Sequence, residues 1–177
     1  MNRTVILIGV VGFVAIVGYL HVVQTDYSPQ HQLMSELALG KQGTLMLWAF
    51  MSFALSVAAA IKLLPHTVLK FLLGLASLSL AGAGIYKLGE ATTLHVALVA
   101  LAFVILALCQ YLTPRLISAF QTPVAMAFSW GLGAGTALFV ALGQVILPIG
   151  LAQRMATACL LLWLCWLAIY RPEKKIE

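Results

Sequence analysis

Six apolar runs, each about as long as a bilayer is thick, fill most of this chain and leave it one kind of architecture. A helix needs roughly 20 apolar residues to cross about 30 Å of hydrocarbon. The runs extend from Thr4 to Val23, Thr44 to Leu64, Thr67 to Tyr86, Thr92 to Leu112, Val124 to Ile146 and Ile149 to Tyr170. Inside hydrocarbon every backbone N–H and C=O must be paired within the protein, which selects helices over open strands. The expected fold class is therefore all-α: an integral membrane bundle of six transmembrane helices, forming a single domain over residues 1–177. The 8% share of charged residues fits, since soluble domains carry about a quarter.

Arg3 precedes the first run as in a secretion signal, but no Ala-x-Ala-like arrangement follows it, so the run is expected to be retained as a helix. Cys109, Cys159 and Cys165 all lie inside apolar runs without a Cys-x-x-Cys pair, and read as buried structural thiols. Gly131 with Gly135, and Ser77 with Ala81 and Gly84, have the spacing that lets helix backbones approach closely in lipid.

Short positively charged connections stay in the cytoplasm. Arg3, Lys62, Lys70, Arg115, Arg171, Lys174 and Lys175 fall on the side shared by both termini, against Lys41, Lys87 and Arg154 on the other. This predicts a prokaryotic cytoplasmic (inner) membrane protein with both termini cytoplasmic. Asp26, Glu36 and Glu90 lean outward, so the net charge of +5 sits on the inner face, where it serves topology. Nucleic acid is not an expected partner, because no basic stripe interleaved with aromatics is present.

Polar residues concentrate in the three outer connections. The first, Gln24 to Gly43, reads as a short amphipathic surface helix: Ser28 suits the cap, Pro29 the first helical position and Gly40 the stop. Leu33, Met34, Leu37 and Ala38 would form its apolar side, with His31 and Ser35 sharing another face near Gln32. The second brings Lys87, Glu90 and His95, and the third Pro148, Gly150, Gln153 and Arg154. Ionisable groups at membrane depth are costly and seldom idle. The expected site is one shared extracytoplasmic pocket built from Asp26, His31, Ser35, Glu36, His95, Gln153 and Arg154, with Ser35, His95 and Arg154 as neighbours.

Three blocks carry a family resemblance: Asp26-Tyr27-Ser28-Pro29 with Ser35-Glu36-Leu37-Ala38-Leu39-Gly40, Ala83-Gly84-Ile85 leading to His95, and Gly150-Leu151-Ala152-Gln153-Arg154. In this order they resemble the signature blocks of a prokaryotic membrane family catalogued as domain of unknown function 998. The resemblance implies a six-helix membrane protein whose recurrent polar positions correspond to Ser35, Glu36, His95 and Arg154. The chain departs from that pattern at Tyr86-Lys87-Leu88-Gly89, where members often carry a Pro-Thr-Asp step.

The leading functional expectation is that the pocket binds or handles a lipid-like amphiphile. Arg154 would pair with a phosphate or carboxylate, while His95, Ser35 and Glu36 supply hydrogen bonds and membrane lipids are the partners. The first alternative is an intramembrane hydrolase. It would use zinc held by His21, His31 and His95 with Asp26 or Glu90, or Ser35 as nucleophile with a histidine base. No His-x-x-x-His pair or Gly-x-Ser-x-Gly elbow supports it. The second alternative is an accessory subunit, with a protein partner or a second copy. No cofactor is expected; zinc, or haem between His21 and His95, are the options the histidines allow.

Overall fold

The computed structural model describes residues 2–143 and 145–170. Arg171, Glu173, Lys174, Lys175 and Glu177, which entered the charge count above, lie outside the described residues. The described chain is all-α, as the apolar runs require. Its helices are α1 (Asn2–Val23), α2 (Leu45–Ala60), α3 (Thr67–Ile85), α4 (Thr92–Leu116), α5 (Pro123–Leu142) and α6 (Ile149–Ile169).

Consecutive helices pack side by side, α6 closes on α1, and α6 also touches α2 and α4, so the six form a ring with α6 drawn toward its centre. Five of them are long and apolar enough to cross a membrane, and the protein is a multi-pass membrane protein. The helix α2 is shorter than its apolar run, with 16 residues or about 24 Å of rise. Its C-terminal end breaks into turns from Ile61 to Leu63. At its other end a six-residue 3-10 turn, Met34–Leu39, packs against α1, α2 and α6.

That 3-10 turn replaces the expected surface helix. Ser28 to Gln32 form turns, and the 3-10 geometry starts only at Met34, where Oε1 of Glu36 accepts the Leu33 N–H at 2.8 Å. Met34, Ser35 and Leu37 are buried while His31 is exposed, so His31 and Ser35 do not share a face. Gly40 does end the element. The apolar residues of this connection point into the bundle because the ring of helices offers them a drier place than the membrane surface.

Close packing uses small residues, though not all those expected. A Cβ on Gly9 of α1 would lie 2.5 Å from the Ser52 carbonyl of α2. Across the same seam Ser56 donates to the Ile6 carbonyl at 2.9 Å, and Ser77 ties α3 to the Ala54 carbonyl of α2 at 2.9 Å. On α5 the packed glycines are Gly133, against Gln110, and Gly135, against Cys159, whereas Gly131 meets nothing within 4 Å.

The helix α4 runs past its predicted end because the bundle repairs a defect. Pro114 has no N–H, so the Gln110 carbonyl one turn earlier loses its helical donor. The Ser129 hydroxyl of α5 donates to that carbonyl at 2.6 Å and accepts the Trp163 indole N–H of α6 at 3.0 Å. The Gln110 side chain accepts from Thr136 at 3.1 Å and donates to the Cys159 carbonyl at 3.3 Å. Buried hydrogen bonds thus join α4, α5 and α6 where apolar burial cannot, since lipid is as apolar as the core. Near the chain termini Arg3 donates to the Ala168 and Tyr170 carbonyls at 3.0 and 2.8 Å, satisfying orphan acceptors at the end of α6.

Ser129→Ala removes a hydroxyl from between two buried partners and is expected to cost about 1–3 kcal/mol, measured as a lower unfolding midpoint in detergent. Leu78→Ala, at a site 72% exposed, is expected to leave the midpoint nearly unchanged. Equal midpoints for the two variants would mean that the polar seam adds nothing to the bundle.

Candidate functional site

The three connections of the expected pocket gather at one end of the ring, where α1, α3 and α5 stop and α2, α4 and α6 begin. The first connection is strapped down there by the opening turns of α6. Leu151 donates its backbone N–H to the Gln30 carbonyl at 3.0 Å, giving one orphan donor of the helix N-terminus a partner. Oε1 of Gln153 accepts the Met34 N–H at 2.7 Å. A Cβ on Gly150 would stand 2.6 and 2.8 Å from the Pro29 and Gln30 carbonyl oxygens, and closer still to that of Gln32. Glycine at this position is what lets the two backbones touch.

Arg154 completes the strap. Its guanidinium donates to the Gln32 carbonyl at 3.1 Å, to the Gly150 carbonyl at 2.8 Å, to the Tyr27 hydroxyl and to Nε2 of His21 at 3.0 Å. Nδ1 of His21 faces the Val17 carbonyl at 2.6 Å, which assigns the ring proton to Nδ1 and leaves Nε2 as the acceptor. Tyr27 packs edge-on against His21, with centroids 5.2 Å apart, and its hydroxyl reaches the Gln32 and Leu33 carbonyls at 3.1 and 2.9 Å. Burial pushes the Tyr27 phenol up against the pull of the Arg154 charge, so the hydroxyl stays neutral and both accepts and donates. Gln24, buried at the end of α1, holds the far side of the connection through the Leu37 and Lys41 carbonyls at 2.9 and 2.8 Å.

The expected pocket is thereby divided. Ser35, His95 and Gln153 line a cavity of about 150 Å³. Its walls are Val96, Val99 and Phe103 of α4, Phe139 and Val140 of α5, and Ile149 and Ala152 of α6, with Leu33 and Ser35 from the connection. Asp26 and Glu36 belong instead to an open polar hollow of about 490 Å³, together with Gln24, Tyr27, Gln32 and Lys41. Glu36 is engaged there by the Leu33 N–H and by Nε2 of Gln32, at 2.8 and 3.2 Å. His31 is exposed, and neither His31 nor Arg154 is among the residues lining the two spaces. The placement of Arg154 beside Ser35 and His95 is thus corrected: its charge meets the connection and α1, because three acceptors converge there beside the Gly150 carbonyl of α6 itself.

Within the apolar cavity His95 is the exceptional group. It is 2% exposed, and its Nδ1 faces the Ala83 and Tyr86 carbonyls at the end of α3, at 2.8 and 3.0 Å. Carbonyls only accept, so Nδ1 carries the proton. Nε2 is buried and has no hydrogen-bond partner among the described residues, as is also true of Nδ1 of His66. The ring is held edge-on to Phe50 at 5.4 Å.

A metal site is not what the three histidines build. His21 is bound to Arg154, His31 faces solvent and His95 sits in the apolar cavity, and among the described residues no three His, Cys, Asp or Glu side chains converge as metal ligands. Haem between His21 and His95 would require Nε2 of His21 to leave Arg154.

A family model described as Protein of unknown function (DUF998) matches residues 7–170. The chain belongs to this family. The match runs from the second turn of α1 to the residue after α6, so it takes in the strap, the cavity and the polar seam together. It establishes the family seen in the three sequence blocks. No curated protein and no solved structure matches the chain.

Tyr27 and Gln24 are the partners that sequence reasoning passed over, and His21, weighed there as a metal or haem ligand, instead accepts from Arg154. Tyr27 stood inside a family block, but nothing in the sequence tied it to a residue 127 positions away. Arg154→Ala and Gly150→Leu are each expected to loosen the connection, read as faster amide hydrogen exchange over residues 28–36 with the rates in α3 unchanged. Arg154→Lys should behave like Arg154→Ala, because one ammonium cannot reproduce a fork that serves four acceptors. Unchanged exchange in all three variants would show that the strap holds nothing in place.

Proposed function

We propose that this DUF998 protein binds a lipid-like amphiphile in the 150 Å³ cavity, at the extracytoplasmic end of a bundle lying in the prokaryotic inner membrane with both termini cytoplasmic. The orientation rests on the described cations: Arg3, Lys62, Lys70 and Arg115 lie at the opposite end, against Lys41, Lys87 and Arg154 at the strapped end. The observation that carries the function is the lining of the cavity. Aliphatic and aromatic side chains make its walls, and among the described residues its polar side chains are Ser35, His95 and Gln153. Val96 and Val140, on α4 and α5, are 46% and 49% exposed on the lipid-facing flank of the bundle, so the cavity borders the bilayer directly. An apolar space of roughly 150 Å³ suits an apolar group of about the size of benzene, which here means one stretch of an acyl or isoprenoid chain.

This differs from the sequence expectation in two respects: Glu36 lies in the separate polar hollow, and the role of Arg154 changes. Arg154 orders the roof of the cavity instead of pairing with the ligand's charge. A second reading draws on the same lining: Ser35 and His95 share the cavity, and His95 has the tautomer of a general base, so a serine-type lipid hydrolase is the alternative. Labelling of Ser35 by a fluorophosphonate probe, abolished in Ser35→Ala, would favour it.

Val99→Trp is expected to fill the cavity from its α4 wall. Native mass spectrometry of the wild type in mild detergent should show a retained lipid-sized adduct that Val99→Trp loses and that Leu78→Trp, on the outer surface of α3, keeps. An adduct equally present in all three would place any bound lipid elsewhere on the bundle.

A further inference from the structure

The contact between Arg154 and His21 tolerates only one charge state of the ring, and from it we infer a pH-sensitive latch: protonation of His21 releases the strap that holds residues 27–33 over the start of α6. Both ring nitrogens are committed to the neutral form. Nδ1 faces the Val17 carbonyl at 2.6 Å and carries the proton, while Nε2 lies 3.0 Å from a guanidinium nitrogen that can only donate. A second proton, on Nε2, would set N–H against N–H and one cation against another, so the acceptor becomes a repulsive neighbour. His21 is half-buried in the last turn of α1, where protons can reach it from the membrane surface.

The surroundings offer the extra charge no settled partner. The helix α2, packed along α1, has no ionisable side chain, and α6 meets the ring through Arg154. The connection brings Tyr27, edge-on to the ring with its hydroxyl kept neutral by burial, and the exposed Asp26. The 3-10 turn brings Glu36, whose carboxylate is taken by the Leu33 N–H and Gln32. Neither carboxylate is paired with His21 among the described residues. Repulsion at His21 is passed on at once, because the same guanidinium holds the Tyr27 hydroxyl and the Gln32 carbonyl, and Leu33 and Ser35 beyond them wall the apolar cavity. The loosened state takes up the additional proton, so the latch holds at neutral pH and opens on acidification. It is independent of what the cavity binds; in the orientation proposed above, the pH it senses is that outside the cytoplasm.

Amide hydrogen exchange of the full-length protein in nanodiscs, at about pH 7.5 and about pH 5.5 and corrected for the intrinsic effect of pH, spans the range in which histidines ordinarily titrate. Carboxylates ordinarily stay charged across it. Exchange over residues 28–36 is expected to quicken about tenfold at the lower pH, the effect of losing one charge-assisted hydrogen bond, with residues 72–80 of α3 unchanged. His21→Gln, whose side-chain carbonyl does not titrate, should abolish the response, and His31→Gln, at an exposed position, should keep it. Histidine ¹⁵N NMR of His31→Gln gives a reading that leaves position 21 intact: the His21 ring should pass from one protonated nitrogen to two over the interval in which exchange quickens. No pH response in the wild type, a response that survives His21→Gln or vanishes in His31→Gln, or a His21 ring that stays neutral while exchange quickens would each overturn the latch.

Discussion

A single cation whose two terminal nitrogens meet four acceptors organises the strapped end of this bundle. A guanidinium at membrane depth is tolerable only when its N–H groups meet acceptors, and those of Arg154 come from the end of α1, the first connection and α6 itself. The arrangement demands that α1 and α6 be neighbours, which closes the ring, and that residues 27–33 fold down over the start of α6. Leu33 and Ser35, which roof the apolar cavity, sit directly beside that anchor. The cavity therefore owes its shape to a residue that does not line it.

The same demand for complete pairing explains the other polar contacts in the bundle. Arg3 serves the last carbonyls of α6, Ser129 serves the carbonyl that Pro114 strands, and the Gln110 side chain is bonded at both its oxygen and its nitrogen. In hydrocarbon an unpaired polar group finds no water to turn to. Against that pattern, Nδ1 of His66 and Nε2 of His95 are the two buried side-chain atoms without a hydrogen-bond partner among the described residues.

Much of the fold was legible because hydropathy and length constrain it directly. Helix starts at Thr67, Thr92 and Ile149 coincide with the limits of the apolar runs. The misjudged ends share one cause, which is that tertiary contacts took over from local signals. The Ser28-Pro29 cap signal lost to the burial of Met34 and Leu37, and α4 continues past Leu112 through Pro114, whose stranded Gln110 carbonyl the Ser129 hydroxyl serves. At the site, the polar residues were visible as a group, and Ser35, His95 and Gln153 do line one cavity. Their division from Asp26, Glu36 and Arg154 was not visible, because opposite charges on distant segments carry no mark of which acceptors they will meet.

Sequence alone determined that this is an all-α chain for a membrane, how many apolar stretches it has, which connections hold its polar groups and to which family it belongs. Tertiary structure decided what each polar group faces, and so which of them are free to meet a ligand. The physical reason lies in the solvent. In water an apolar stripe marks the inside of a protein, but in a bilayer the surroundings are as apolar as the core, so Val99 and Phe103 on the cavity wall cannot be told by pattern from Val104 and Leu108, which face outward.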